Sequence, residues 1–249
     1  MTARRPRKKH RAEPALLPGR RVLISIRYGI AKKEFLMSLK VPIETSARHI
    51  HITREDFEEL FGPGKELTFY RELSQPGQYA CKERLTVTGP RGSFENVVIL
   101  GPFRSQTQVE VSVTDNRRLG IESVIRQSGC LEGTPGCILT GTRGSIKIDS
   151  GVIVAKRHIH MTPRDAIRAH VKDNENVFVI TTSFERSLIF SDVVVRVSPN
   201  FRLAMHVDTD EANAFANNDH PTGTILKLFD GHSYNLQDWA EELEAGIER

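Results

Sequence analysis

Two stretches of this 249-residue chain, ARHIHIT at 47–53 and KRHIHMT at 156–162, write His-x-His inside an extended run. In a β-strand residues i and i+2 project from the same face. His49 and His51 therefore point together, as do His158 and His160, while Ile50 and Ile159 point back into a core. Two imidazoles on one face supply half of a transition-metal site, and a zinc that keeps an open position needs about three protein ligands. Nine histidines are present. His10 lies in a basic arm, His220 and His232 in a polar C-terminal stretch, and His170 on a helical segment. His206 sits in the extended run RLAMHVDTD, and the matching run of the first half, QTQVEVSVTD, carries Glu110 near the corresponding place. Two donor sets result, His49 with His51 and Glu110, and His158 with His160 and His206. Spacing alone leaves the third member of each set open.

The repeat extends beyond the histidines. Thr53 is followed three residues later by Asp56, and Thr162 by Pro163 and then Asp165. Both read as helix N-caps with an acid at N3, so each His pair lies on a strand that runs straight into a helix. Strand-like stretches ending VTD (113–115) and DTD (208–210) follow in each half, which marks two related units. Arg48 and Arg157 precede the pairs and face away from them, as structural ion-pair partners. Arg104 lies six residues before Glu110, an even offset that would share its strand face if the segment stayed extended. A guanidinium there can bind phosphate bidentately.

Composition narrows the class. The net charge of +4 is misleading, because residues 1–21 carry a net +7 and the remainder sums to −3. The basicity is a flexible arm on a mildly acidic body, so neither a nucleic-acid partner nor a membrane is expected. No run approaches ~18 apolar residues, and the N-terminus lacks the apolar core of a secretory signal. The three cysteines form no CxxC pair, which fits a reducing compartment. Cys130 and Cys137 flank a Gly- and Pro-rich loop and read as structural. Short alternating runs such as RLTVTG, QVEVSV, GCILTG and DVVVRVS, with GPRG and TRGS turns, predict a mainly β barrel or sandwich with small helices. Residues 22–26 read as a strand. Ile30, Phe35, Leu36 and Leu39 predict a short helix over 30–39 within an N-terminal extension spanning 22–40.

Six ordered stretches, SARHIHIT, LSQPGQYA, ERLTVTGPRGSFENVVILGPFRSQTQVEVSVTD, SGCLEGTPGCILTG, AKRHIHMTP and MHVDTDEANA, together resemble the PduL-type phosphate acyltransferases. These are the zinc-dependent phosphate propanoyltransferases of bacterial microcompartments, and the likeness covers roughly residues 41–228. The resemblance implies two closed β-barrel domains from an internal duplication, capped by short α-helices. The first would span 48–155, and the second 41–47 plus 156–249. It implies two Zn2+ ions, one held by His49, His51 and Glu110 and the other by His158, His160 and His206. Arg104 matches the family's phosphate-handling arginine. The implied reaction moves a propanoyl or acetyl group reversibly between coenzyme A and inorganic phosphate. Direct attack of phosphate on a zinc-polarised thioester is the mechanism the residue chemistry favours, since no Ser-His-Asp or Cys-His nucleophile is seen. Microcompartment core or shell proteins as partners and a place in the bacterial cytoplasm inside a microcompartment are implied as well, and a homodimer or higher homo-oligomer is expected.

Three other classes stay open on the residues alone, the last a nucleic-acid protein built on the basic arm. HIHITRE satisfies the cupin spacing His-x-His-x3-Glu with Glu55 as the acid, as in metal oxygenases and isomerases, although an acid in a first helical turn is expected for dipole reasons. A non-catalytic scaffold with structural zinc would instead close each site with four protein ligands.

Overall fold

The computed structural model describes residues 23–28, 31–181, 186–215 and 220–229; the basic arm and the C-terminal stretch that holds His232 lie outside them. The chain runs β1 (Leu23–Tyr28), β2 (Ala31–Thr45), β3 (His49–His51), α1 (Arg54–Phe61), β4 (Phe69–Glu72), β5 (Tyr79–Thr88) and β6 (Ser93–Gly101). It continues through β7 (Gln108–Glu110), α2 (Val113–Leu119), β8 (Ile125–Arg126), β9 (Cys137–Thr140), β10 (Ser145–Ile148) and β11 (Val152–Ala155). The second His pair opens β12 (His158–Met161), followed by α3 (Pro163–Ala169), β13 (Asn176–Thr181), β14 (Ile189–Val197), β15 (Ala204–Val207), α4 (Thr209–Ala214) and β16 (Thr222–Phe229).

The architecture is mainly β with few short helices. Six strands close a ring in the order β2, β15, β12, β14, β13, β16, with β16 returning to β2 and β1 attached outside as a hairpin. The other sheet runs β10, β9, β5, β6, β3, β7, β11, β8, with β4 on β5. Among the described residues its two ends do not pair, so where two closed barrels were expected one is closed and the other is a half-barrel. The end strand β8 is two residues long and pairs with β11, leaving little ladder to reach back to β10.

The helix expected over 30–39 is strand instead. Leu39, Val41 and Ile43 of β2 are buried at a two-residue period that no helix could bury together, and β15 and β16 pair with β2 on either side. The runs at 113–115 and 208–210 also differ from expectation, because both start helices. Ser112 caps α2 and Asp208 caps α4, each in a full capping box with the acid at N3. Thr53 and Thr162 cap α1 and α3 as anticipated, with Pro163 in the first turn. Cys81 and Cys137 are buried and free; Cys130, expected to be structural, is an exposed free thiol in the loop after β8.

Each sheet wraps its own core, and the central isoleucine of each His pair is a fully buried member of it, Ile50 in one and Ile159 in the other. Both halves carry the same bulge. Asn96 and Asp192 adopt left-handed φ of 58° and 55°, where β6 and β14 each carry an extra residue against β5 and β13. Asn and Asp tolerate that region better than other non-glycine residues. Each bulge lies two residues before the strand position that pairs with the first histidine, Val98 with His49 and Val194 with His158. Arg48 is held by Asp115 at 2.7 Å and Arg157 by Glu211 at 3.0 Å, so both arginines are the structural partners expected of them. Replacing either central isoleucine leaves a void in a closed core. Ile50→Ala and Ile159→Ala should each lower unfolding free energy by about 2–5 kcal/mol in urea titrations; a loss under about 1 kcal/mol would show that the position is not packed as described.

Candidate metal and anion site

Hydrogen-bonded register decides what faces each histidine. Across the antiparallel pair β3–β7, His49 lies opposite Glu110 and His51 opposite Gln108. Across β12–β15, His158 lies opposite His206 and His160 opposite Ala204. The third members that spacing left open are thus the direct cross-strand neighbours of the first histidines.

The first set is compact. Glu110 places Oε2 3.4 Å from His49 Nε2 and Oε1 3.8 Å from His51 Nε2, and one ligand atom from each of the three residues lies within 4.8 Å of the others. The second set does not meet that ligand-atom spacing among the described residues; the ring centroids of His158, His160 and His206 are separated by 4.6, 4.9 and 5.3 Å. In both sets the first histidine is oriented the same way. His49 Nδ1 donates to the Ala47 carbonyl at 2.8 Å and His158 Nδ1 to the Lys156 carbonyl at 2.9 Å. A carbonyl only accepts, so Nδ1 holds the proton and the lone pair is left on Nε2. Three other imidazole nitrogens, His51 Nδ1, His160 Nδ1 and His206 Nε2, are buried without any hydrogen-bond partner. Unsatisfied buried nitrogens in both donor sets, with the close approach of His49, His51 and Glu110, fit a site for a divalent cation.

All six residues and Arg104 line one cavity of about 470 Å³. Arg104 does not arrive by the expected route. Residues 102–107 form a loop between β6 and β7, so no continuous strand face joins it to Glu110. It reaches in from that loop, where its backbone N–H bonds the Ile52 carbonyl at 2.9 Å and Nη1 bonds Ser128 Oγ at 3.0 Å. Glu55 is exposed on α1 and does not line the cavity, which removes the acid the cupin spacing would need. Neither His170 nor His220 lines it.

The phosphate propanoyltransferase family model matches residues 42–218. Among curated relatives, a phosphate propanoyltransferase of Listeria monocytogenes is 50% identical over 192 residues, 77% of this chain and 90% of that protein. One from Enterococcus faecalis is 53% identical over 185 residues, 74% of this chain and 87% of its own length. One from Thermotoga maritima is 56% identical over 172 residues, 69% and 82% of the two chains. The chain belongs to the phosphate propanoyltransferase family. Its relatives' name makes it an acyltransferase.

Several residues of this phosphate propanoyltransferase homologue reach the cavity, or bond a residue that does, without having been read from the sequence. Gln108, which bonds Glu110 but does not itself line the cavity, could have been found, since it shares a strand face with Glu110 at an even offset. Ser128 comes from a loop with no periodic signal. Arg196 pairs in register with His160 and also lines the cavity, as does Phe201, whose ring centroid is 4.3 Å from that of His160. Glu44, opposite His206 on β2, brings Oε2 to 3.8 Å from the orphaned His206 Nε2 and accepts a hydrogen bond from Ser74. No helix among the described residues is long and apolar enough to cross a membrane.

Burial sets the electrostatics. It pushes His51 down to about 3, with His49 adding to the shift, and His158 to about 4, with His206 adding. His160 falls to about 2 through burial and then His158, and His206 to about 4 chiefly through burial. Burial alone would raise the Glu110 carboxyl, but His49, His51 and a hydrogen bond from Ser128 outweigh it and hold the acid below the usual carboxylate range. At neutral pH these four histidines are uncharged and Glu110 is ionised, the states that metal ligands require. The metal-free protein should therefore depend on pH in a stated direction. Unfolded histidines titrate near 6.5, whereas these four remain neutral in the fold until about pH 4 or below. Between those values the unfolded chain binds more protons, so stability falls as pH is lowered, by up to ~1.4 kcal/mol per pH unit for each histidine. Thermal midpoints of chelator-treated protein should drop several degrees from pH 7 to pH 5, and less so in a His160→Phe, His206→Phe double variant. A flat profile would contradict the buried neutral cluster.

Proposed function

We propose that this chain transfers a short acyl group, propanoyl or acetyl, reversibly between coenzyme A and inorganic phosphate, with two Zn2+ ions as cofactors. The observation that carries the reading is the convergence of both donor sets and a half-buried guanidinium on one cavity in a phosphate propanoyltransferase homologue. His49, His51 and Glu110 would hold one metal, and His158, His160 and His206 the other. Bound there, the metals supply Lewis-acid charge near the thioester oxygen and the departing thiolate.

The remaining chemistry falls to the chain's own groups. Burial pulls the Arg104 guanidinium below its ordinary value and Glu110 pulls it back up, and it remains a cation with donors to spare for an anion. Arg104 would bind phosphate and aim one oxygen at the carbonyl carbon, so that an O–C bond forms while the C–S bond breaks. The products are acyl phosphate and coenzyme A thiolate. The gain is mainly positioning and charge stabilisation. No protein nucleophile takes part in this scheme, in which phosphate itself attacks. Three proposals accompany the reading. Residues 48–155 form one unit and 41–47 with 156–249 the other. The enzyme works as a homodimer or higher homo-oligomer. It resides in the bacterial cytoplasm inside a microcompartment, among core or shell proteins.

Phosphate-dependent release of free thiol from propanoyl- and acetyl-coenzyme A tests the activity directly. Metal-loaded wild type should turn over, while Arg104→Ala and His158→Ala should each fall by about 10²-fold or more. Absence of phosphate-dependent thiol release from protein shown to contain metal would overturn the reading.

A further inference from the structure

Between Arg104 and Glu110 runs a short chain of hydrogen bonds whose donors and acceptors follow from one amide orientation. Gln108 is 1% exposed. Its Oε1 accepts the Gly129 backbone N–H at 2.7 Å, which fixes the amide orientation and leaves both Nε2 hydrogens to donate. One goes to Glu110 Oε1 at 2.6 Å and the other to Ser128 Oγ at 2.9 Å. A flipped amide would set an oxygen against the carboxylate and a donor against the Gly129 N–H. Ser128 Oγ also accepts from Arg104 Nη1 at 3.0 Å. With both lone pairs engaged the hydroxyl keeps its own proton to donate. Serine and glutamine thus bridge a half-buried cation and a buried anion.

The fold does not require this bridge. In the second half the position equivalent to Gln108, opposite the second histidine of its pair, is Ala204. The duplicated strand pair is complete without an amide there, so the network belongs to the chemistry of the first half. Its effect is geometric. Arg104 comes from a loop and Glu110 from a strand, and without a shared anchor the guanidinium would be free to choose among rotamers.

We propose that Ser128 and Gln108 are positioning residues for acyl transfer: Ser128, oriented by Gln108, locks the Arg104 guanidinium in the pose that receives phosphate beside the Glu110 ligand. The inference rests on Arg104 as the phosphate-binding residue, so its test includes that residue. KM for inorganic phosphate, KM for propanoyl-coenzyme A, kcat and bound zinc would be measured for wild type, Ser128→Ala, Ser128→Thr, Gln108→Leu and Arg104→Ala. Ser128→Ala should raise the phosphate KM about tenfold, with the propanoyl-coenzyme A KM within about twofold and zinc content unchanged. Ser128→Thr keeps the hydroxyl and should restore most of the loss, and Gln108→Leu should reproduce the defect of Ser128→Ala. An unchanged phosphate KM in Ser128→Ala, equal shifts in both KM values, or failure of threonine to rescue would overturn the positioning role. If Arg104→Ala raises the phosphate KM while Ser128→Ala does not, this inference alone falls. If Arg104→Ala leaves the phosphate KM unchanged, the anion assignment beneath it falls as well.

Discussion

The site depends on one constraint, the antiparallel register that sets His49 against Glu110 and His158 against His206. A strand projects two imidazoles on one face by its own geometry, but a third donor must come from a neighbour at the same level of the ladder. Hydrogen bonding fixes that level, and a slip of one residue would turn every side chain to the opposite face. Register is in turn held by burial. Ile50 and Ile159 sit between the histidines on the opposite face, each fully enclosed in its own core. The apolar residue that points away from the chemistry is what keeps the histidines aimed at it.

The same unit occurs twice, and its shared parts are structural. Each half repeats the buried isoleucine, the threonine-capped helix after the His strand, the capping box after the third-donor strand and the arginine tied to the N3 acid of that box. The left-handed bulge two residues before the partner of the first histidine is repeated as well. What differs is polar. Glu110 corresponds to His206 and Gln108 to Ala204. On the outer side, Glu110 is flanked by Ile153 where His206 is flanked by Glu44. Each donor set therefore has one carboxylate within reach, bonded into a buried network in the first half and on the cavity wall in the second. The duplication supplied the frame, and substitutions on its outer faces made the two sites unequal.

Legibility in the sequence followed the range of each interaction. The His-x-His pairs, their buried isoleucines and the threonine caps are local patterns with fixed periods, and the structure has them where the sequence placed them. The helix expected over 30–39 failed because Phe35 and Leu36 suggested a helical face over a few residues. The two-residue burial of Leu39, Val41 and Ile43 instead commits the segment to a strand shared between β15 and β16. The even offset from Arg104 to Glu110 does not aim the guanidinium, since the loop at 102–107 breaks the strand; the resemblance alone singled the residue out. Its place is set by Ser128, which no periodic pattern marks. Closure of the ring was equally silent, because it depends on β16 returning to β2 across most of the chain.

By itself the sequence determined the repeated strand-to-helix unit, the paired imidazoles and the pool of further donors, because these follow from alternation and capping within about ten residues. Only the tertiary structure decided which residues face each His pair, which half closes, and how the loop arginine meets the strand carboxylate. Those outcomes rest on ladder register and on hydrogen bonds between residues far apart in sequence, and no local period encodes either.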